Sequence, residues 1–390
     1  SYPDPRLEPV LGKTYGVILY QEQVIQVATI IAGFSAGEAD ELRRVMTHAR
    51  SHREMQGIGR RFVEKAVARG VRPEVAETIF RCIQGYASYG FSEGHAAAFA
   101  RHAYLTAYLL EHFPAPYYAA LLSHQPLGYY PPRTLAYEAR RRGIRFLPPD
   151  VNASETAFTV EAPDRIRIGL GAVKGLGRGA AAVVEERRRR GPYRDLIDFA
   201  QRLYGALDWE ATARLVRCGA LDPLTPNRRA ALWKLRQLWQ AAPKGTVAMP
   251  FSPPERLPDF DATQKHRDEL ELLGLDAHRG HLFAPLRPRL RAAGIRSIAE
   301  AQRLPAGERL RVAGLVIRPH RPPTKSGRLV TYFTLEDETG LLDVTVFEEV
   351  YRRDGAWLFS ESVPPLIVEG TIDFTRGPAV VAARLKPLTM

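Results

Sequence analysis

The chain has 390 residues, 45% hydrophobic and 25% charged, with a formal net charge of +12. That length excludes one ordinary domain and suggests about two to four, with enough apolar residues for real cores and no apolar run long enough to cross a bilayer. The cationic excess makes a polyanion, nucleic acid first, the default partner; a generally basic surface kept for solubility is the plain alternative.

Residues 15–125 read as mostly helical. Val24, Val27, Ala28 and Ile31 recur at helical spacing, and Gly33 follows as a C-cap. Ser35 then precedes Glu38 as a capping box and opens a helix carrying Leu42, Arg43, Arg44, Val45 and Met46. Further helices are expected over about 74–86 and 96–112, the latter ended by Pro114 and Pro116. Gly128-Tyr129-Tyr130-Pro131-Pro132 breaks the pattern, and a helix runs on to Arg142. An extended piece spans 148–152, and the alternation over 158–170 suggests a short hairpin. Residues 173–235 return to helix. Residues 241–261, rich in Pro and small residues, read as a linker, and 265–273 as a helical patch.

From Arg309 the period changes to two. Arg309–Ile317, Leu329–Leu335, Leu341–Phe347, Leu366–Ile372 and Ala379–Leu385 are strand candidates, with turns at Ser326-Gly327 and Glu338-Thr339-Gly340. Five such runs fit an OB barrel. The fold expected is therefore multidomain and mainly α: a helical region over 1–127, helix-hairpin-helix elements over 128–240, a linker with short helices over 241–304, and a C-terminal five-stranded OB-type barrel over 305–390.

The most specific signal runs from Tyr15 to Phe99. It opens Tyr15-Gly16-Val17-Ile18-Leu19-Tyr20-Gln21-Glu22-Gln23-Val24, passes Arg43-Arg44, and closes Tyr89-Gly90-Phe91-Ser92-Glu93-Gly94-His95-Ala96-Ala97-Ala98-Phe99. These blocks resemble the fingers region of the α subunit of bacterial DNA polymerase III, the family C polymerases. The resemblance implies that Arg43 and Arg44 contact the phosphates of the incoming nucleotide, for which a guanidinium that stays charged and binds phosphate in a fork is suited. It implies that His95 stands near nucleotide or primer-template. On spacing alone, the arginines read as an exposed pair bridged to Glu38 or Glu41, and His95 as a hydrogen-bonded structural residue.

The resemblance also places the catalytic aspartates and two Mg²⁺ of the parent polymerase in a palm domain upstream of Ser1. This chain is then expected to hold no catalytic or metal-binding residue and to extend no primer alone; its lack of an initial Met fits a fragment. It departs from the family where Ser92-Glu93-Gly94 stands for Asn-Lys-Ser, Leu110 for a basic residue, and Thr47-His48-Ala49-Arg50 for lysines. Fewer cations near phosphate weaken binding and its salt dependence. These changes fit an error-prone accessory branch or a paralogue that no longer polymerises, and Gln125–Pro132 leans to the former.

Val173-Lys174-Gly175-Leu176-Gly177-Arg178-Gly179-Ala180 has helix-hairpin-helix spacing. Its glycines allow close approach to a phosphate, which would face the free N–H groups of the second helix. Lys174, Gly175, Gly177 and Arg178 are the DNA-binding candidates there, and the run Arg187–Arg190 supports them. Leu215–Asp222 resembles the second hairpin of a tandem pair. Gly169-Leu170-Gly171 lacks the βαβ setting of a dinucleotide site.

Three further motifs are set aside. Pro258-Asp259-Phe260-Asp261 mimics paired metal-binding aspartates but falls in a linker. His278 and His281 lack a third ligand. Residues 245–251, where the family carries a sliding-clamp peptide, lack its glutamine, so clamp binding is unsupported.

In the barrel, the loop Arg318–Arg328 is strongly basic, and Arg318, Arg321, Lys325 and Arg328 are expected to hold single-stranded template. Tyr332 and Phe333 face opposite sides, one a platform and one core. A barrel that only braces its neighbours is the alternative. Cys82 and Cys218 form no C-x-x-C pair, and no signal peptide precedes the first motif, which fits a reducing cytoplasm.

The reading is the C-terminal portion of a family C DNA-directed DNA polymerase acting in replication or in translesion and repair synthesis. Its partners would be primer-template duplex, single-stranded template, incoming dNTP once a palm is supplied, and replication or mutagenesis proteins. A DNA-binding module or scaffold derived from that family, with no polymerase role, is the alternative.

Overall fold

A computed structural model of the protein describes residues 2–47, 52–86, 91–241, 257–275, 277, 280–324, 327–360, 363–375 and 377–388. The chain divides into two compact units, Ser1–Glu111 and His112–Met390.

The first unit comprises α1 (Glu8–Leu11), α2 (Gln21–Ala32), α3 (Ala36–Thr47), α4 (His52–Ala68), α5 (Pro73–Tyr86) and all but the last residue of α6 (Glu93–His112). The periodic residues Val24, Val27, Ala28 and Ile31 are buried in one core with Leu42, Phe62, Ile79 and Ile83. Gly33 ends α2 in the left-handed conformation. The box opening α3 is complete: the Glu38 N–H donates to Ser35 Oγ at 3.3 Å, and the Ser35 N–H donates to the Glu38 carboxylate at 2.9 Å. α6 begins one turn earlier than its apolar pattern suggests, and none of its described residues is buried.

α6 ends at His112, just before Pro114 and Pro116 as expected, but the chain returns to helix at once. Pro114 is the first residue of α7 (Pro114–Ser123), where a missing N–H costs nothing because that position has no intrahelical acceptor. α8 (Pro132–Arg141) follows, then a small sheet of β1 (Arg145–Leu147), β2 (Thr159–Ala162) and β3 (Arg165–Arg167). β2 and β3 form the expected hairpin, and β1 joins β3 in parallel. The helices α9 (Gly179–Arg190), α10 (Leu196–Leu203), α11 (Trp209–Arg217), α12 (Arg228–Ala241) and α13 (Ala262–Leu273) come next. Asp195 and Asp208 cap α10 and α11 by accepting backbone N–H bonds. Short helices α14 (Arg287–Ala292) and α15 (Ile298–Ala301) lead to the last domain.

That domain contains β4 (Arg309–His320), β5 (Val330–Asp337), β6 (Gly340–Phe347), α16 (Glu348–Asp354), β7 (Leu366–Asp373) and β8 (Ala379–Pro387). The strands close into a barrel in the order β4-β5-β6-β8-β7, antiparallel except for β6 against β8. This is the partly Greek-key, five-stranded OB arrangement. Alternate residues fill its interior, among them Val312, Phe333, Leu335, Val344 and Val368, while Tyr332 points to the other face. Among the described residues, no helix is long and apolar enough to cross a membrane.

Candidate nucleic-acid interface

In the first unit, two of the sequence motifs meet. The Glu22 carboxylate, at the start of α2, accepts from Ser92 Oγ at 2.8 Å and from the Glu93 N–H at 2.9 Å. The Gln21 N–H donates to the Phe91 carbonyl at 2.9 Å, and Lys13 pairs with Glu93. Glu93, which stands where a lysine was expected to meet phosphate, therefore anchors the start of α6. Gln23 is fully buried and structural. It accepts from the Leu19 and Tyr20 N–H groups and donates to the Val10 carbonyl and Thr14 Oγ1.

Arg43 and Arg44 both reach back to Asp40, at 2.8 and 3.3 Å. The carboxylates expected to bridge them are used elsewhere: Glu38 binds Lys65 and Glu41 binds Arg61, because both acids face α4. Arg44 lines a cleft of about 610 Å³ with Glu41, Glu54 and Arg61. The His95 ring is exposed and lies 5.6 Å from Phe91 and 4.5 Å from Phe99.

The hairpin turn is built by a 3-10 turn at Leu170–Ala172, the segment to Arg178, and α9. Gly175 and Gly177 both have positive φ, at 74° and 52°. Lys174, Gly175, Gly177 and Arg178 are exposed, while Val173 and Leu176 are buried beneath them. The two glycines differ in function. A Cβ on Gly177 would meet nothing within 4 Å, so that side of the turn is open. A Cβ on Gly175 would fall 1.5 Å from Arg214, whose guanidinium crosses it to donate to the Lys174 carbonyl at 2.8 Å. Gly175 thus admits an arginine of α11, and Arg214 adds a cation to the turn that no local spacing announces.

The arginine run at the end of α9 is not a free basic patch. Arg187 is buried and donates to the Val151 and Ser154 carbonyls and to Glu155. Arg188 also takes Glu155, and Arg189 and Arg190 take Glu186. Packing against the 151–155 segment consumes the first cation, and acids nearby neutralise the others. The second hairpin is fixed by Arg228. This buried side chain lies against Gly219, binds Asp222 and Glu269, and donates to the Arg217 carbonyl.

On the barrel, the basic loop is shorter than its sequence suggests. Arg318 belongs to the end of β4, in the left-handed conformation (φ 50°), at a register shift between Ile317 and His320. Such a bulge re-aims a side chain, and the Arg318 guanidinium lies over the Tyr129 ring. Arg321 stacks on Tyr351 and Phe359, at 3.8 and 4.2 Å from the ring centroids. Arg328 is exposed. Lys325 and Ser326 lie outside the described residues, as do His278 and the 245–251 segment.

The remaining candidates are structural. Asp259 pairs with Lys265 and accepts the Phe260 N–H, and Asp261 caps α13 by accepting from the Gln264 N–H. These two acids do not fit a two-metal site. His281 is buried against Tyr137 and Phe283 and accepts the Phe283 N–H; burial pushes its pKa down to about 3. Burial also pushes the Cys218 thiol up to about 12.

Residues 1–70 match the family described as the bacterial DNA polymerase III alpha subunit finger domain, and residues 143–231 match the helix-hairpin-helix motif. The chain is 48% identical to an error-prone DNA polymerase of Symbiobacterium thermophilum over 96% of its own length and 39% of the relative's. It is 40% identical to one of Anaeromyxobacter dehalogenans (90% of this chain, 32% of the relative). It is 36% identical to one of Corynebacterium glutamicum (100% and 36%). The chain thus spans roughly a third to two fifths of the length of these curated relatives.

Proposed function

Since this chain belongs to the bacterial DNA polymerase III α family, we propose that it is the DNA-handling part of an error-prone polymerase of that family, serving repair or translesion synthesis in the cytoplasm. The reaction is templated addition of deoxynucleoside monophosphate to a primer end. Arg43, Arg44 and His95 meet the incoming triphosphate. Lys174, Gly175, Gly177 and Arg178 hold duplex phosphates, and Arg318, Arg321, Lys325 and Arg328 hold the single-stranded template. Mg²⁺ bound by palm carboxylates outside these 390 residues would neutralise charge on the triphosphate, so this chain alone extends no primer.

The observation that carries the reading is the exposed hairpin turn. Two cations flank two positive-φ glycines at the start of a 12-residue helix, and the space over Gly177 is open. The N–H groups of Gly179 and Ala180 at the helix start already bond to the Leu176 and Gly177 carbonyls, so the turn offers a phosphate its two cations and a glycine backbone open to close approach rather than a row of free N–H groups. Such contacts position DNA without reading its sequence. A second reading, a DNA-binding module that no longer polymerises, is favoured by the two carboxylates beside Arg44 and by Glu93.

The test is fluorescence anisotropy on single-stranded, duplex and primer-template DNA across a salt series. Tightest binding to primer-template, falling steeply with salt, is expected. Replacing Lys174 and Arg178 by Gln should lower the slope of log affinity against log salt by about 2. Equal or undetectable binding to all three DNAs would remove the proposal. Primer extension by the purified chain with Mg²⁺ would overturn the placement of the palm.

A further inference from the structure

A cleft of about 720 Å³ opens between the end of α7, the start of α8, the hairpin turn and the end of α13. Its walls are mainly apolar, with Leu122, Pro126, Tyr137, Phe158, Leu270 and Leu282 among them. Two cations line it, Arg133 and Lys174, and no carboxylate does. Among the described residues, neither side chain has a hydrogen bond or salt bridge, and the Arg133 Nε is buried without a partner. This sets them apart from Arg187, Arg228 and Arg287, each held by carboxylates.

Apolar walls with two cations held by no hydrogen bond or salt bridge, Arg133 facing the charge of the buried Glu336 carboxyl, select an amphipathic anion. The volume falls within the roughly 300–1,000 Å³ of small-ligand sites. Lys174 belongs to both the cleft and the hairpin turn, so an occupant held there is continuous with a strand bound on the turn. Resting on the DNA-binding reading above, we propose that the cleft receives one unpaired nucleobase of that strand, with its phosphate held by Lys174 and Arg133.

The Gln125 and Ser123 side chains on the lining are already engaged. Gln125 donates to the Leu121 carbonyl and accepts from the Leu127 N–H; Ser123 donates to the Ala119 carbonyl and accepts from the Phe158 N–H. Recognition therefore rests chiefly on burial and stacking, which every base offers.

The experiment compares three duplexes by anisotropy with the full chain: fully paired, carrying one unpaired base, and carrying an abasic residue at that position. The unpaired base should tighten binding about tenfold, a typical return for one stacked base, and the abasic duplex should bind like the paired one. Ala157→Trp, which fills the cleft from an exposed position, should abolish the gain and leave paired-duplex affinity unchanged. Should that variant fail to fold, Arg133→Gln is expected to lose most of the gain. Equal affinity for unpaired and abasic duplexes, with paired duplex still bound, would overturn this inference while leaving the DNA-binding reading intact. No binding to any duplex would overturn both.

Discussion

Arg228 and Glu336 are buried ionisable residues with opposite situations. Burial works against the charge of Arg228, yet the Asp222 and Glu269 carboxylates hold its pKa above the ordinary value. Truncation would leave Glu269 buried without its cation. Arg228→Ala should therefore cost about 3–5 kcal/mol, read as a lower urea midpoint; a loss below about 1 kcal/mol would show that the pair is replaceable. Glu336 on β5 has one oxygen bonded by Thr134 Oγ1 and the other without a partner. Burial, against the pull of Thr134, Arg133 and Arg141, raises its pKa from 4.5 to about 7. A carboxyl that binds its proton more tightly when folded contributes stability fully below its unfolded pKa and loses it as pH rises through the folded one. The displacement corresponds to ~3 kcal/mol. Glu336→Gln should flatten stability against pH between about 4.5 and 7, measured by denaturant titration relative to the parent chain.

At the scale of elements, the hairpin turn separates two kinds of glycine. Gly177→Ala forces only a left-handed backbone on a residue with a Cβ, worth about 1–2 kcal/mol. Gly175→Ala carries that cost and also displaces Arg214 from the Lys174 carbonyl. Gly175→Ala should thus be the more destabilising in urea; equal losses would mean that Arg214 moves aside freely. The same distinction between local and distant causes runs through other elements. Ser35 and Glu38 satisfy each other within one turn, so their motif is readable. Pro114 starts a helix because of where it falls relative to the first turn, which its identity alone leaves open.

Over the whole molecule, each unit has its own buried core: Phe62 and its neighbours in the first, the barrel interior around Phe333 and Leu335 in the second. Separate cores permit separate unfolding. Calorimetry should resolve more than one transition, and Phe62→Ala should lower one while leaving another in place. A single transition shifted as a whole would show that the units unfold together. The +12 charge is less available to DNA than its total suggests. Many arginines, including the run in α9, are spent on carboxylates and carbonyls inside the protein.

Periodicity, caps and turn residues are set by neighbours within a few positions, so α2, α3, α5 and α6 of the first unit, the glycine turn at 175–177 and the five barrel strands are legible in the sequence to within a few residues, whereas α1 and α4 are not marked out individually. The motif blocks also identified the family. Which charges stay free was decided only in three dimensions. Arg187 reads as one of four equal cations, yet it alone is buried, because α9 packs it onto the 151–155 carbonyls. Arg318 finds Tyr129, Arg228 finds Glu269, and Arg133 joins Lys174 at one cleft, each across long stretches of chain. A charge acquires its partner from whatever packing brings within a few ångströms after burial removes water, and no local spacing encodes that.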